Sequence, residues 1–243
     1  MITSVFHALI YDPIYNGLVF LVDIVPSHDI GIAVIVVTIL VRILLFPLSR
    51  RAIKAQMAMK EVAPDVEALK QKHKDDAQKQ TQAIFALYKE RDVHPFAGFL
   101  VILIQIPVLL GLYWVFALGG FPTIDASLLY SFVPPPEQIK MEFLGLIDMA
   151  AKHNIVLAVF VALSQLVLSR LSMGPRDTKT PIEATFSGDM ARSFDLQARY
   201  VFPLIFGAIS YFVAAAAPLY WLTSNIFMVG QELATGRRFN PKK

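Results

Sequence analysis

The sequence predicts an all-α, polytopic membrane protein. It is read as five core transmembrane helices, a cytoplasmic helical hairpin and an N-terminal interfacial helix. Three observations carry this. Of the 243 residues, 56% are apolar and only 17% charged, where soluble domains carry about a quarter charged. Phe96–Leu118 and Tyr200–Gln231 run for 23 and 32 residues without a charge. The Lys and Arg residues are sorted to one side of the apolar runs. Such runs exclude an ordinary soluble domain. They also exclude an outer-membrane barrel, whose strands alternate apolar and polar residues. The absence of cysteine excludes a disulfide-built fold and thiolate metal sites.

Residues 1–28 contain no Lys or Arg, so the basic start of a secretory signal is missing, as is a small-residue cleavage site. Their apolar stretch is interrupted by Asp12, Pro13, Asn16 and Asp23. It is read as an amphipathic helix on the outer interface rather than a sixth span, because that keeps the charge asymmetry. A span needs roughly 20 mostly apolar residues; the first is 29–48. Residues 49–96 then read as a charged helical hairpin. Pro64 starts a helix, Lys74-Asp75-Asp76 supplies the turn, and Val66, Leu69, Ile84, Leu87 and Tyr88 sit at helical spacing.

The second span is 97–118. The external segment 119–152, with Gly119-Gly120, Pro122 and three prolines from Pro134, reads as irregular. The third span is 153–172, followed by a flexible cytoplasmic loop over 173–198. As one helix, the run Tyr200–Gln231 would be about 48 Å long, against a hydrocarbon core of about 30 Å. It is therefore divided at Ala214-Ala-Ala-Ala-Pro218 into spans at 199–215 and 217–234, the first projecting Arg192 and Arg199 into water. A short basic tail, 235–243, remains.

Nineteen of the 22 basic residues lie in 49–96, 170–199 and 235–243, against Lys140 and Lys152 on the other side. This positive-inside bias with an odd number of spans puts the N-terminus out and the C-terminus in.

Arg42 asks for an explanation. It sits six residues, about 9 Å, from the basic end of the first span, where arginine near a helix centre costs roughly 2.5–3.5 kcal/mol. Snorkelling to the inner headgroups is one account; facing a wet cavity is the other. Thr38 favours the second, being one turn deeper on the same face. Gln105, Ser164, Gln165, Ser210, Thr223, Ser224 and Asn225 supply sparse polar groups that individually suit helix-to-helix hydrogen bonding. The spans are read as free of acidic residues, which leaves Arg42 without an intramembrane counter-ion in its own chain and suited to something negative from outside. The basic residues of the hairpin, Arg50, Arg51, Lys54, Lys70, Lys72 and Lys74, read either as a solvated face or as a docking platform for a polyanion or anionic lipid. No zinc-protease, nucleophile-elbow or phosphate-loop motif is present, so neither an enzyme nor a cofactor is expected. Coupled transport usually uses intramembrane carboxylates and repeated halves.

Four motifs, in order, resemble the YidC/Oxa1/Alb3 membrane protein insertases over nearly the whole chain. They are Thr38–Leu48, with its arginine and Pro-Leu exit; Ala63-Pro-Asp-Val-Glu-Ala-Leu-Lys-Gln-Lys with Ala86–Glu90; Phe99–Tyr113; and Pro218–Phe227. The resemblance implies five core helices around a polar groove open to cytoplasm and lipid but closed outside. Arg42 would be the groove's charge, Thr38 and Trp221 would flank the substrate path, and Gln105 and Gln165 would line it. It implies nucleotide-independent insertion of nascent membrane proteins into the bacterial inner membrane, alone or beside the Sec translocon, with the ribosome as a further partner. The chain lacks the large periplasmic domain, lipobox cysteine and long basic tail of some members, which leaves ribosome contact to the hairpin and the 173–198 loop. The alternatives are a small-solute channel or transporter, and a structural bundle that assists assembly of a partner complex. The apolar helix ends at Leu110–Leu118 and Phe212–Leu222 favour an outer seal, which a solute pathway would not have.

Overall fold

The computed structural model describes residues 5–94, 97–117, 121–174, 193 and 195–239. It divides into two compact units, Met1–Leu44 with Pro107–Lys243, and Leu45–Ile106.

In the first unit a π-helical turn, His7–Tyr11, leads into α1, Asp12–Ile24, whose Pro13 occupies the first turn, where the missing N–H is harmless. Tyr15, Leu18, Val19 and Val22 are fully buried along one face. That face packs on α2, Ile30–Leu44. The predicted amphipathic helix is thus built into the core on one side, with Phe20 and Ile24 exposed on the other. Asn16 fixes α1 to the 121–154 segment: its Nδ2 donates to the Leu128 carbonyl at 2.9 Å and its Oδ1 accepts from the Tyr130 N–H at 2.7 Å. The Tyr15 hydroxyl accepts from the Asp125 N–H at 2.8 Å.

Asp29 starts α2. Its Oδ1 accepts from the N–H groups of Gly31 and Ile32, satisfying two orphan donors of the first turn. Its Oδ2 accepts from Leu144 N–H at 2.7 Å. This ties α2 to a two-stranded antiparallel hairpin, β1 (Glu142–Phe143) and β2 (Ile147–Asp148). The segment 119–152, expected to be irregular, thus holds a short hairpin over its described residues. Phe143 lies so close to Gly31 that a Cβ there would come within 2.5 Å of its ring. The first helix ends at Leu44 rather than at 48, and a new helix begins at Phe46 with Pro47 in its first turn.

α6, Ala97–Ala117, contains Pro107 and enters this unit from that residue onward. Gly111 brings it against Ile10 and Ile14. α7, Ile155–Met173, is capped by Asn154, whose side chain accepts from Leu157 N–H. α8, Phe202–Phe212, follows a π-helical turn at Gln197–Val201. It approaches α7 closely at Gly207, where a Cβ would stand 2.8 Å from that of Ala162. The long apolar run breaks at Val213, which is extended, and α9 covers Ala216–Ala234. Ala215 and Ala216 donate from the break to the Ala151 and Met149 carbonyls, anchoring it to the segment before α7. α9 packs against both α2 and α7.

Arg199 does not project into water as expected. It is buried, pairs with Asp195 at 2.8 Å and donates to the Gly174 carbonyl at 2.7 Å, so it satisfies the C-terminal end of α7. Arg192, most of the 173–198 loop and the last four residues of the basic tail lie outside the described residues.

Large apolar side chains are exposed on α2 (Leu40, Ile43, Leu44), α7 (Val156, Phe160, Leu163) and α8 (Leu204, Ile205, Phe212), as suits surfaces meeting lipid rather than water. Among the described residues, α7 is the one helix that is long and apolar enough to cross a bilayer by itself, with mean hydropathy 2.0. α2 and the next helix satisfy that test only as a broken pair.

The second unit contains α3 (Phe46–Glu61), α4 (Ala63–Lys72), α5 (Ala77–Glu90) and the start of α6. α4 and α5 pack together across the turn at His73–Asp76. Gln80 donates to the Lys70 carbonyl, and Arg91 reaches Asp65 at 3.4 Å. Asp76 caps α5 by accepting from Lys79 N–H.

Candidate functional site

Arg42 lies on α2 and is only 5% exposed. Its side chain turns toward α9, where Nε donates to Ser224 Oγ at 3.4 Å. The guanidinium also interacts with the Tyr220 hydroxyl. Tyr220 and Ser224 are four residues apart, so α9 presents both from one face. A guanidinium carries five fixed donors and is strongly disfavoured in apolar surroundings. Two hydroxyls from one helix turn supply acceptors there without adding a second charge. This geometry turns the Arg42 side chain inward, between α2 and α9.

Thr38, one turn earlier on α2, is buried, and its hydroxyl donates to the Val34 carbonyl at 2.6 Å. Its donor is spent on its own helix, which leaves oxygen lone pairs for a further partner. Gln165 joins a second polar group. Asn225 Nδ2 donates to Gln165 Oε1 at 3.0 Å and to Ser164 Oγ at 3.1 Å, while Ser164 Oγ donates to the Val161 carbonyl. Ser224 and Asn225 are consecutive, so α9 turns one hydroxyl toward α2 and one amide toward α7. Trp221 is buried with its ring edge-to-face on Phe206, centroids 5.5 Å apart. Gln105 is half-buried in the other unit.

Five of the six basic hairpin positions, Arg50, Arg51, Lys54, Lys72 and Lys74, are exposed; Lys70 is half-buried and pairs with Glu67 at 3.5 Å. Lys70 and Lys72 also fall in the last turn of α4, where positive charge complements the helix dipole.

Sequence reasoning singled out Ser224, Asn225 and Ser164 only as interhelical hydrogen-bonding groups and passed over Tyr220. The Tyr220-to-Ser224 spacing was the available signal. It also passed over Glu232, inside the expected last span. That carboxylate is 2% exposed and accepts from Arg237 Nη1 at 3.0 Å and Ser172 Oγ at 2.5 Å. The expectation of spans free of carboxylates is corrected at this end of α9. Glu232 lies one residue beyond the uncharged run, and its partner Arg237 follows within five residues, so the pair is buried together.

A helical bundle with an apolar exterior, a buried arginine and polar side chains between α2, α7 and α9 defines a membrane-protein class. The family model described as 60Kd inner membrane protein matches residues 20–243. The chain belongs to this family, that of the YidC/Oxa1 insertases. A Membrane protein insertase YidC of Methylobacillus flagellatus is 30% identical over 205 residues, covering 84% of this chain and 32% of the relative. The protein of that name in Cupriavidus metallidurans is 31% identical over 221 residues, 88% of this chain and 33% of its own length. That of Clostridium tetani is 30% identical over 210 residues, 86% of this chain and 83% of the relative. The chain thus spans about a third of the first two relatives and most of the third.

Proposed function

We propose that this chain is a membrane protein insertase and chaperone of the inner membrane. The observation that carries this reading is the buried Arg42, held by Ser224 and Tyr220 of α9 with Thr38 one turn away. A bilayer offers no hydrogen-bond partners, so each unsatisfied polar group of a translocating tail costs several kcal/mol. A line of hydroxyls, amides and one guanidinium would lower that cost if water and the tail enter beside it.

In this reading five spans, N-terminus out and C-terminus in, enclose a groove open to cytoplasm and lipid. Arg42 attracts acidic residues of the tail; Thr38 and Gln165 line the path, and Trp221 flanks it. The substrate's apolar segment then leaves into lipid. Its partitioning supplies the driving force, so no nucleotide is consumed. The substrates are nascent membrane proteins with short translocated tails. The exposed Arg50, Arg51, Lys54, Lys72 and Lys74 form a basic platform for the ribosome, and the Sec translocon acts beside the chain on some substrates.

The test is reconstitution into liposomes with a single-span substrate bearing a short acidic tail. Protease protection of the tail that requires the protein, without nucleotide, is expected. Protection equal to empty vesicles, with or without added Sec translocon, would defeat the reading.

A further inference from the structure

A recess of about 260 Å³ lies between α6, the segment before α7 and the α8–α9 break, away from Arg42. Its floor and walls are Leu112, Phe116, Val213 and Ala217, with Tyr113 and Phe212 exposed at its mouth. Lys152 stands in its lining as an exposed ammonium that pairs with no carboxylate among the described residues. Its volume exceeds that of the about 150 Å³ cavities that already hold small apolar guests. The recess combines apolar side chains with polar atoms, two exposed aromatic rings and one cation. It matches an amphiphile with a hydrocarbon tail and a negative head. Aromatic side chains at such a mouth suit the level of the headgroups.

We propose that this recess is a phospholipid site, with part of an acyl chain against Leu112, Phe116 and Ala217 and the phosphate of the headgroup on Lys152. The bilayer is the source of the ligand; that the outer leaflet supplies it rests on the topology proposed above. The Ala215 and Ala216 donors to the Ala151 and Met149 carbonyls hold the break that forms one wall, so the recess is part of the folded bundle rather than a gap between mobile ends. A lipid seated there would fill the bundle between the outer ends of α6 and α9.

The protein in nanodiscs containing phosphatidylglycerol with a diazirine in its acyl chain, illuminated without any substrate, tests this. Label is expected on peptides holding Leu112–Phe116 and Phe212–Ala217, above the level on the exposed Val156, Phe160 and Leu163 face. A surface lysine is worth about fivefold in binding an anionic lipid. Lys152→Gln should therefore weaken the labelling by about that factor, and a diacylglycerol probe lacking phosphate should label wild type and Lys152→Gln alike. Ala214→Phe, which narrows the recess at a half-buried position, should abolish the enrichment while thermal unfolding remains cooperative. Uniform labelling of every lipid-facing helix would overturn the proposal, as would labelling indifferent to both substitutions. So would a substrate-borne probe that labels these peptides where lipid does not, since the recess would then belong to the translocating chain. Because no substrate is present, enriched labelling beside failed insertion would count against the insertase reading alone.

Discussion

Arg42 and Ser224, 182 positions apart in sequence, meet at 3.4 Å between α2 and α9. The contact is long for a hydrogen bond, and the guanidinium is also held by Tyr220. Arg42 is thus positioned by hydroxyls, which share it without neutralising it.

Arg42→Ala should therefore act through charge. Insertion of substrates with acidic tails is expected to fall about tenfold relative to neutral-tailed ones, on the scale of one charge attraction of about 1–2 kcal/mol in a partly hydrated site. Arg42→Lys keeps the charge and loses the planar fork, so it should retain most of the preference. Protease protection of paired acidic and neutral substrates measures this. Equal losses on both would remove charge attraction from the mechanism.

The Asn225 amide holds α7 and α9 together through Gln165 and Ser164. Asn225→Ala and Gln165→Ala should be coupled in a double-mutant cycle by about 0.5–1.5 kcal/mol, the range for hydrogen bonds between membrane helices. Equilibrium unfolding in mixed micelles gives the four stabilities. Strict additivity would mean that the amides do not support each other.

How far the sequence could be read follows from what each feature depends on. That the run breaks was legible from its length, with Ala214–Pro218 as the expected place; the chain turns at Val213, and Pro218 already lies in the first turn of α9. Arg42 was legible because a charge inside an apolar run has few innocent explanations. Its partners were not: Tyr220 is chemically ordinary in a membrane helix, and only the packing of α9 on α2 makes it an acceptor. The burial of Arg199 was equally hidden. Asp195, four residues earlier, was a readable local partner, but the Gly174 carbonyl is set by where α7 ends. The β1–β2 hairpin escaped because two-residue strands leave no alternation to detect, and its anchors, the Asp29 carboxylate on Leu144 N–H and the backbone bonds of Lys140 to His28 and Ile30, join residues more than 100 positions apart.

The cap of α5 should respond to acid. The Asp76 carboxyl lies below the usual carboxylate range, first because it accepts from the Lys79 N–H and then through the Lys79 ammonium. A carboxyl depressed in the folded state stabilises it fully above the unfolded value of about 3.9. That contribution is lost as pH falls through the lower, folded value. Amide exchange in the first turn of α5, corrected for intrinsic rate, should therefore accelerate below about pH 4. Asp76→Asn still caps but cannot titrate, so it should flatten the dependence; Asp76→Ala should fray the turn at every pH. An Asp76→Asn profile identical to wild type would assign the acid response to another group.

Gly207 lets α8 lie against α7. A Cβ there would stand 2.8 Å from the Ala162 Cβ and 3.2 Å from the Ala158 carbonyl oxygen. The first neighbour is a side chain that can be removed; the second is helix backbone that cannot rotate away. Gly207→Ala should therefore destabilise the bundle by about 1–3 kcal/mol, the usual cost of overpacking. Adding Ala162→Gly should recover part of the loss and never all of it, since the carbonyl contact remains. Thermal unfolding of the two single variants and the double variant measures both effects. Full rescue would show that the carbonyl has room to yield, and an unaffected Gly207→Ala would show that α7 and α8 separate at no cost.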